Sequence, residues 1–203
     1  LFETMRVTGD GCEQVPLHLA RLGKSAAYFG FAFDRAAAQS LVAAQASAGE
    51  IRRVRLALRQ DGTMAVQGAP LLPLQEPVAL LVADDATHSD DVFLRHKTSV
   101  RTRYDAAWRD AEANGAFDTL FFNERGELTE GGRCNVFVRV KGRWYTPPLS
   151  CGVLPGVMRA VLLADPAWNA SERVITREML AGADEIVACN ALRGAMAAHL
   201  RQD

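Results

Sequence analysis

Apolar and polar residues alternate from the first position. The run Leu1-Phe2-Glu3-Thr4-Met5-Arg6-Val7 reads as a β-strand, and Gly9-Asp10-Gly11 as the turn after it. A chain seldom opens inside a strand, so this beginning is expected to lie within something longer. From 17 to 29 the spacing changes to that of a helix, with Leu19, Leu22, Ala26 and Phe29 on one face and Gly30 as its stop. A second helix is expected over 35–48, closed by Gly49. The stretches 51–58 and 64–67 predict a hairpin around Asp61-Gly62. Pro70, Pro73 and Pro77 interrupt the pattern, and 78–83 reads as another strand.

The acidic, polar stretch that follows reads as a linker. The predicted organisation is a small α/β domain over 1–84, a linker over 85–91 and a larger mixed domain over 92–203. In the larger part, 92–97 reads as a strand leading to Lys97, followed by a helix over 101–114 with Gly115 as its stop. A strand over 119–123, a turn at Glu124-Arg125-Gly126-Glu127 and a strand over 135–140 predict an antiparallel pair. A turn at Lys141-Gly142 leads to a strand over 143–146. Pro147 and Pro148 open a loop, Pro155-Gly156 introduces a helix over 157–163, 178–181 is a short helix, and 185–189 is a buried strand. Repeats and low-complexity tracts are absent from the sequence.

Composition narrows the chemistry. The chain has 203 residues and is 49% hydrophobic, enough for one large domain or two small ones. A net charge of −1 gives no bulk attraction to nucleic acid or to a membrane surface. No apolar run is long enough to span a bilayer, so a cytoplasmic location is the default expectation. Cys12, Cys134, Cys151 and Cys189 include no CxxC pair, so a zinc site is not expected and reduced thiols are. Among 23 basic residues only Lys24, Lys97 and Lys141 are lysines, so lysine chemistry has three candidates.

Four places could carry chemistry. Lys97 lies between Arg95 and Arg101, and burial with like-charged neighbours would make such an amine a nucleophile toward an aldehyde; otherwise it is a surface lysine. Glu130 precedes Gly131 and Gly132, where the backbone can approach a ligand closely and a carboxylate could hold a protonated ring nitrogen; otherwise it is a solvated turn residue. The run Gly152-Val153-Leu154-Pro155-Gly156-Val157-Met158-Arg159 ends a loop and opens a helix, whose N–H groups and dipole suit a phosphate. Arg21, on the first helix, carries a planar fork that also suits phosphate. Taken singly, each of these also has an ordinary structural reading.

Their order carries more than any one of them. His-Leu-x-Arg-Leu at 18–22, the lysine before a helix, Thr129-Glu130-Gly131 with Asn135-Val136-Phe137, Tyr145-Thr146-Pro147 and Leu-Pro-Gly-x-x-Arg at 154–159 together resemble the class IV (fold type IV) pyridoxal-phosphate enzymes. The likeness runs from Phe2 to about Ala198. It implies an α+β or α/β fold like that of D-amino-acid aminotransferase. It makes Lys97 the Schiff-base lysine and proton-transfer base, Glu130 the partner of the pyridine nitrogen and Arg21 the phosphate arginine. Gly156 and the amides of Val157 and Met158 would complete the phosphate cup, with Asn190 also near the cofactor. Met158 departs from the threonine of many relatives, which removes one hydroxyl from that cup.

Cys189-Asn190-Ala191-Leu192 resembles the aminodeoxychorismate lyases within that family. Several other segments look closest to the lyase half of bifunctional aminodeoxychorismate synthase/lyase chains. The implied activity is elimination from 4-amino-4-deoxychorismate to give 4-aminobenzoate and pyruvate, a step of folate biosynthesis. Arg101, Arg103 and Arg193 are the candidates for the substrate carboxylates. The alternatives are a class IV aminotransferase acting on branched-chain or D-amino acids, and an inactive or cofactor-free fragment. The resemblance further implies a homodimer and a native fusion to an upstream chorismate-amination domain.

Overall fold

The computed structural model describes residues 1–201. Two compact units divide the chain: residues 1–74 with 96–99, and residues 75–95 with the remainder from 100.

The first unit is a three-stranded antiparallel sheet covered on one face by two helices. β1 (Phe2–Val7) pairs with β2 (Arg52–Leu58) in a register that sets Phe2 against Ala57 and Val7 against Arg52. β2 continues into β3 (Met64–Pro70) through a tight turn at Gly62, whose φ of +89° favours glycine. Strand alternation sends Met5, Val7, Val54, Leu56 and Leu58 to one face. α1 (Val15–Phe29) and α2 (Arg35–Ala43) close over that face with Leu19, Leu22, Ala26, Ala38 and Val42. α1 has Pro16 in its first turn and stops at Gly30, which is left-handed with φ +70°. α2 starts where Asp34 accepts a 2.9 Å bond from the Ala37 N–H. It ends at Ala43, short of the expected 48.

The second unit is built on an eight-stranded mixed sheet. Its strands are β4 (Val78–Val82), β5 (Asp118–Phe122), β6 (Leu128–Gly131), β7 (Asn135–Val140), β8 (Arg143–Thr146), β9 (Ala170–Glu172), β10 (Glu185–Asn190) and β11 (Gly194–Leu200). They run in the order β6-β5-β4-β11-β10-β7-β8-β9. α3 (Thr102–Ala113) lies on the crossover between parallel strands β4 and β5 and packs on β5. α4 (Val157–Ala164) packs on β10, and α5 (Arg177–Ala181) places Leu180 in the main core. β5 is buried along its whole length, which explains its near-continuous apolar run.

Several expectations change against this structure. β4 belongs to the larger sheet, paired with β11 and β5, so the small unit ends near 74 and not at 84. The stretch read as a linker is tied into the second unit, with Thr87 bridging Asn123 and the Ser89 N–H donating to Glu124 at 2.8 Å. Residues 92–95 form a 3₁₀ turn and not a strand. Asp91 draws the chain into it, its carbonyl accepting from the Leu94 N–H at 3.1 Å and its side chain from the Phe93 N–H at 2.9 Å. β5 pairs with β6, not with β7, because Leu128–Gly131 is itself a strand; β7 runs between β10 and β8. β9 and β11 were not anticipated. β11 reads Gly-Ala-Met-Ala-Ala-His-Leu, and alanine carries little strand preference.

Leu56, on β2, is fully buried in the apolar cluster between the sheet and the helices. Leu56→Ala should therefore lower stability by about 2–5 kcal/mol, read from the urea unfolding midpoint.

Candidate active site

In the first unit the lysine segment is fastened to β1 and α1. The Phe2 N–H donates to the Lys97 carbonyl at 3.1 Å, so the segment continues the hydrogen bonding at the open edge of β1. His96 Nδ1 lies 2.9 Å from Ser25 Oγ, and its ring sits 4.6 Å from that of Tyr28 and 4.8 Å from that of Phe29. These contacts fix the backbone on the N-terminal side of Lys97. Its Nζ lies 4.8 Å from the centre of the Phe2 ring, and the Arg55 guanidinium lies 3.8 Å from the same ring. Arg55 is thus a second cation beside the lysine, one that sequence reasoning passed over.

Arg21 does not stand as a plain surface arginine. Its Nε donates to Glu3 Oε1 at 2.8 Å, and its Nη2 donates to Oε2. His18 Nδ1 lies 2.7 Å from Oε2 as well. Glu3 and His18 are buried, and Arg21 is 11% exposed. Burial by itself would raise the Glu3 carboxyl, but Arg21 and His18 outweigh it and bring the pKa down to about 2. Glu3 shares the inward face of β1 with Met5 and Val7. A charge in phase with a strand's apolar face is the sequence signal that could have flagged it.

In the second unit Glu130 lies on β6 and is buried. Its Oε2 accepts from Asn135 Nδ2 at 3.0 Å and from the Leu154 N–H at 3.1 Å. Asn135 Nδ2 also donates to the Leu154 carbonyl at 3.1 Å, so one side chain joins the carboxylate to the Leu-Pro-Gly loop. Gly156 closes that loop as the N-cap of α4, making no side-chain cap bond. A Cβ at Gly156 would fall 1.8 Å from Asn135 Oδ1, so only glycine fits here. The helix begins at Val157 with no acidic residue in its first turn. Its first N–H groups cannot be satisfied within the helix, an arrangement that suits an anion. Arg159, the last residue of the motif, is buried and structural: its Nη2 donates to the Pro147 carbonyl at 2.8 Å and pairs with Glu172.

The turn after Glu130 is held from beneath by Asp118, at the start of β5. This carboxylate accepts from the N–H groups of Gly132 at 3.0 Å, Arg133 at 2.8 Å and Thr119 at 2.9 Å, with the Cys134 thiol at 3.1 Å. Burial pushes the Asp118 carboxyl up despite these donors. Glycines at 131 and 132 are required by it, since a Cβ would fall 2.5 Å and 3.0 Å from its oxygens. Asp118 and Asn135 are positioning residues that the sequence reading did not single out.

The remaining candidates are distributed as follows. Asn190 donates to the Arg133 carbonyl at 3.2 Å, and its Oδ1 accepts from the N–H groups of Leu192 at 3.1 Å and Arg193 at 2.9 Å. It therefore ties the β10–β11 turn to the loop following Glu130 and fixes the backbone of Arg193. Met158 packs beside Phe137 and Cys189. Arg101 pairs with Asp105 at 2.6 Å and donates to the Gly132 carbonyl, so it braces the same turn. Arg103 is 40% exposed and donates to the Ala86 carbonyl at 2.7 Å. Glu130, Gly156 and the start of α4 are thus brought together through Asn135, whereas Arg103 reaches the Ala86 carbonyl, Asp85 and the Phe121 ring.

Two outcomes test these networks. Gly156→Ala should displace Asn135 and lower stability by about 1–3 kcal/mol, read from the denaturant midpoint. Glu3 titrates lower folded than unfolded, so its contribution is complete above pH 4.5 and is lost as the pH falls toward 2. Relative to Glu3→Gln, the native chain should lose about 1–3 kcal/mol across that window in acid-unfolding curves.

Each unit carries donors of the kind a phosphorylated pyridine aldehyde takes: a lysine amine and an arginine in the first, a buried carboxylate and a helix start without a side-chain cap in the second. Comparison with known proteins agrees in kind. The family model for Amino-transferase class IV matches residues 1–200. A Schizosaccharomyces pombe protein provisionally named an aminodeoxychorismate lyase is 27% identical over 199 residues, 95% of this chain and 86% of that protein. A Mesorhizobium loti structure provisionally described as an amino-acid aminotransferase is 38% identical, covers 99% of both chains and superposes with a TM-score of 0.89. A Legionella pneumophila structure provisionally described as a 4-amino-4-deoxychorismate lyase is 25% identical, covers 98% of this chain and 82% of that one, and has a TM-score of 0.88. Among further structures of this fold, two Mycobacterium tuberculosis aminotransferase structures hold PLP, or α-ketoglutarate and PMP. With the matched model spanning almost its whole length, this chain belongs to the class IV aminotransferase family.

Proposed function

We propose that the chain is a pyridoxal-phosphate-dependent 4-amino-4-deoxychorismate lyase. The observation that carries the cofactor reading is the buried Glu130 carboxylate, oriented by Asn135 and the Leu154 N–H beside an open helix start. A carboxylate held in this way stays a fixed acceptor for a pyridinium N–H. The Schizosaccharomyces pombe and Legionella relatives support the lyase reading, together with the Cys189-Asn190-Ala191-Leu192 segment.

When bound, pyridoxal phosphate supplies an electron sink for negative charge developing on the substrate's amine-bearing carbon. The protein's part is to bind, orient and move one proton. Arg21 and the first N–H groups of α4 would hold the phosphate, and Glu130 would accept from the ring N–H. The Lys97 amine takes the proton from the amine-bearing carbon. Departure of the enolpyruvyl group leaves an aromatic ring, and with a proton returned the products are 4-aminobenzoate and pyruvate. The braced turn at Gly131-Gly132 keeps Glu130 from swinging as charge develops.

A second reading, an aminotransferase, is favoured by the Mesorhizobium loti structure at 38% identity. It uses the same cofactor residues and differs in the fate of the amine.

Adding pyridoxal phosphate to the native chain should give a visible absorbance band, and borohydride should fix the label on Lys97. Lys97→Ala should lose the label and lower turnover by about 10²–10⁴-fold. With 4-amino-4-deoxychorismate, the native chain should release 4-aminobenzoate. Amine transfer to a keto acid without 4-aminobenzoate sinks the lyase reading and leaves the aminotransferase, whereas a folded chain that takes up no cofactor sinks both.

A further inference from the structure

We propose that Asn135 is a positioning residue that sets the spacing between the Glu130 carboxylate and the opening of α4. A ligand with both a ring N–H and a phosphate then binds far more tightly than its two halves; the inference rests on the cofactor reading above. Asn135 is the first residue of β7 and stands opposite Cys189 of β10, so an inner strand of the sheet holds its backbone. The residue is buried. Its Nδ2 donates twice, to Glu130 Oε2 at 3.0 Å and to the Leu154 carbonyl at 3.1 Å. The Leu154 N–H closes the circuit, donating to the same Glu130 oxygen at 3.1 Å. Only Pro155, whose ring limits backbone rotation, separates Leu154 from Gly156, the N-cap of α4. Oδ1, on the other side of the amide, lies 1.8 Å from where a Gly156 Cβ would fall. One planar amide therefore touches the carboxylate, the loop and the helix opening.

Two roles compete for this side chain. Asn135 could serve only to satisfy a buried carboxylate. One donated hydrogen would do that, and the Leu154 N–H already brings another to the same oxygen. The second Nδ2 hydrogen goes instead to the loop carbonyl, and the amide forces glycine at 156. Those two contacts give Glu130 no further donor. What they fix is where α4 begins relative to it. Two anchor points held at one separation make the second contact of a two-point ligand an intramolecular event, with an effective concentration set by that separation. Loosening the separation would spare each half and weaken the whole. Spacing is therefore assigned to Asn135 beyond satisfaction of Glu130.

The test compares pyridoxal phosphate with its halves, pyridoxal and inorganic phosphate, by calorimetry. The product of the two half dissociation constants, divided by that of the whole, measures the coupling. Both aldehydes offer the same carbonyl to Lys97, so that share cancels from the quotient. Asn135→Ala should lower the quotient about tenfold or more, the scale on which misplacing a supporting group acts. An unchanged or higher quotient, with the halves weakened as much as the whole, overturns the proposal. Should the alanine variant fail to fold, Asn135→Asp keeps the shape, removes the donors and carries the same comparison. Its added charge acts alike on free phosphate and on the phosphate of the whole ligand, and cancels. The bridge can also be read without any ligand. Because Asn135 is what excludes a side chain at 156, Gly156→Ala should shift the denaturant midpoint far less in the Asn135→Ala chain than in the native one. An equal shift in both backgrounds refutes the bridge. Relief at 156 in a chain that binds neither pyridoxal phosphate nor its halves refutes the cofactor reading instead, and leaves the bridge a structural tie.

Discussion

A carboxylate removed from water must be surrounded by donors, and this constraint organises both units. An ionised carboxyl left alone in a protein interior costs several kcal/mol, on the order of what the whole fold has to spare. Glu3, Asp118 and Glu130 are all buried. Each draws in the groups that satisfy it, and those groups are the ones that shape the candidate active site. Glu3 fixes Arg21 and His18. Asp118 fixes the turn at Gly131-Gly132-Arg133. Glu130 fixes Asn135 and, through it, the loop that opens α4.

The three solutions differ in the donors used, and the difference has chemical consequences. Glu3 is answered by side-chain cations, which bring its pKa down to about 2 and keep it charged at every working pH. Asp118 is answered mainly by backbone N–H groups and a thiol, and burial still pushes its carboxyl up. Uncharged donors orient a carboxylate without offering it a full opposite charge. Glu130 takes an amide side chain and one backbone N–H on Oε2.

Much of this was legible in the sequence, and the failures share a cause. Periodicity identified α1, the β2–β3 hairpin and β7 because each has one clear apolar face. It missed β11, which buries Met196 but whose alanines carry no strand signal of their own. It took 92–97 for a strand because a short apolar run cannot reveal that Asp91 closes a turn on it. The boundary near 84 failed because β4 is local in sequence to the small unit and finds its partners, β5 and β11, far along the chain. Motif order singled out Lys97, Glu130, Arg21 and the start of α4. It could not reveal Glu3, Asp118 or Asn135, whose parts are defined by what they touch across 18, 15 and 19 positions of sequence.

The glycines of the motif follow from the same constraint. Gly131 and Gly132 would let a ligand approach, but Asp118 already excludes a side chain at both, with the Cys134 sulfur at 131 and the Tyr104 carbonyl at 132. Gly156 is excluded from bearing one by Asn135, the residue that orients Glu130. Each glycine marks a place where a buried polar side chain presses directly on backbone, and none of them has to touch a ligand to be required. The Gly-Gly and Pro-Gly signatures that made the sequence recognisable therefore record, first, how a carboxylate is kept in place inside the protein. The capacity to hold a phosphorylated ring follows from that placement, because the interactions that satisfy Glu130 also leave α4 opening without a cap of its own.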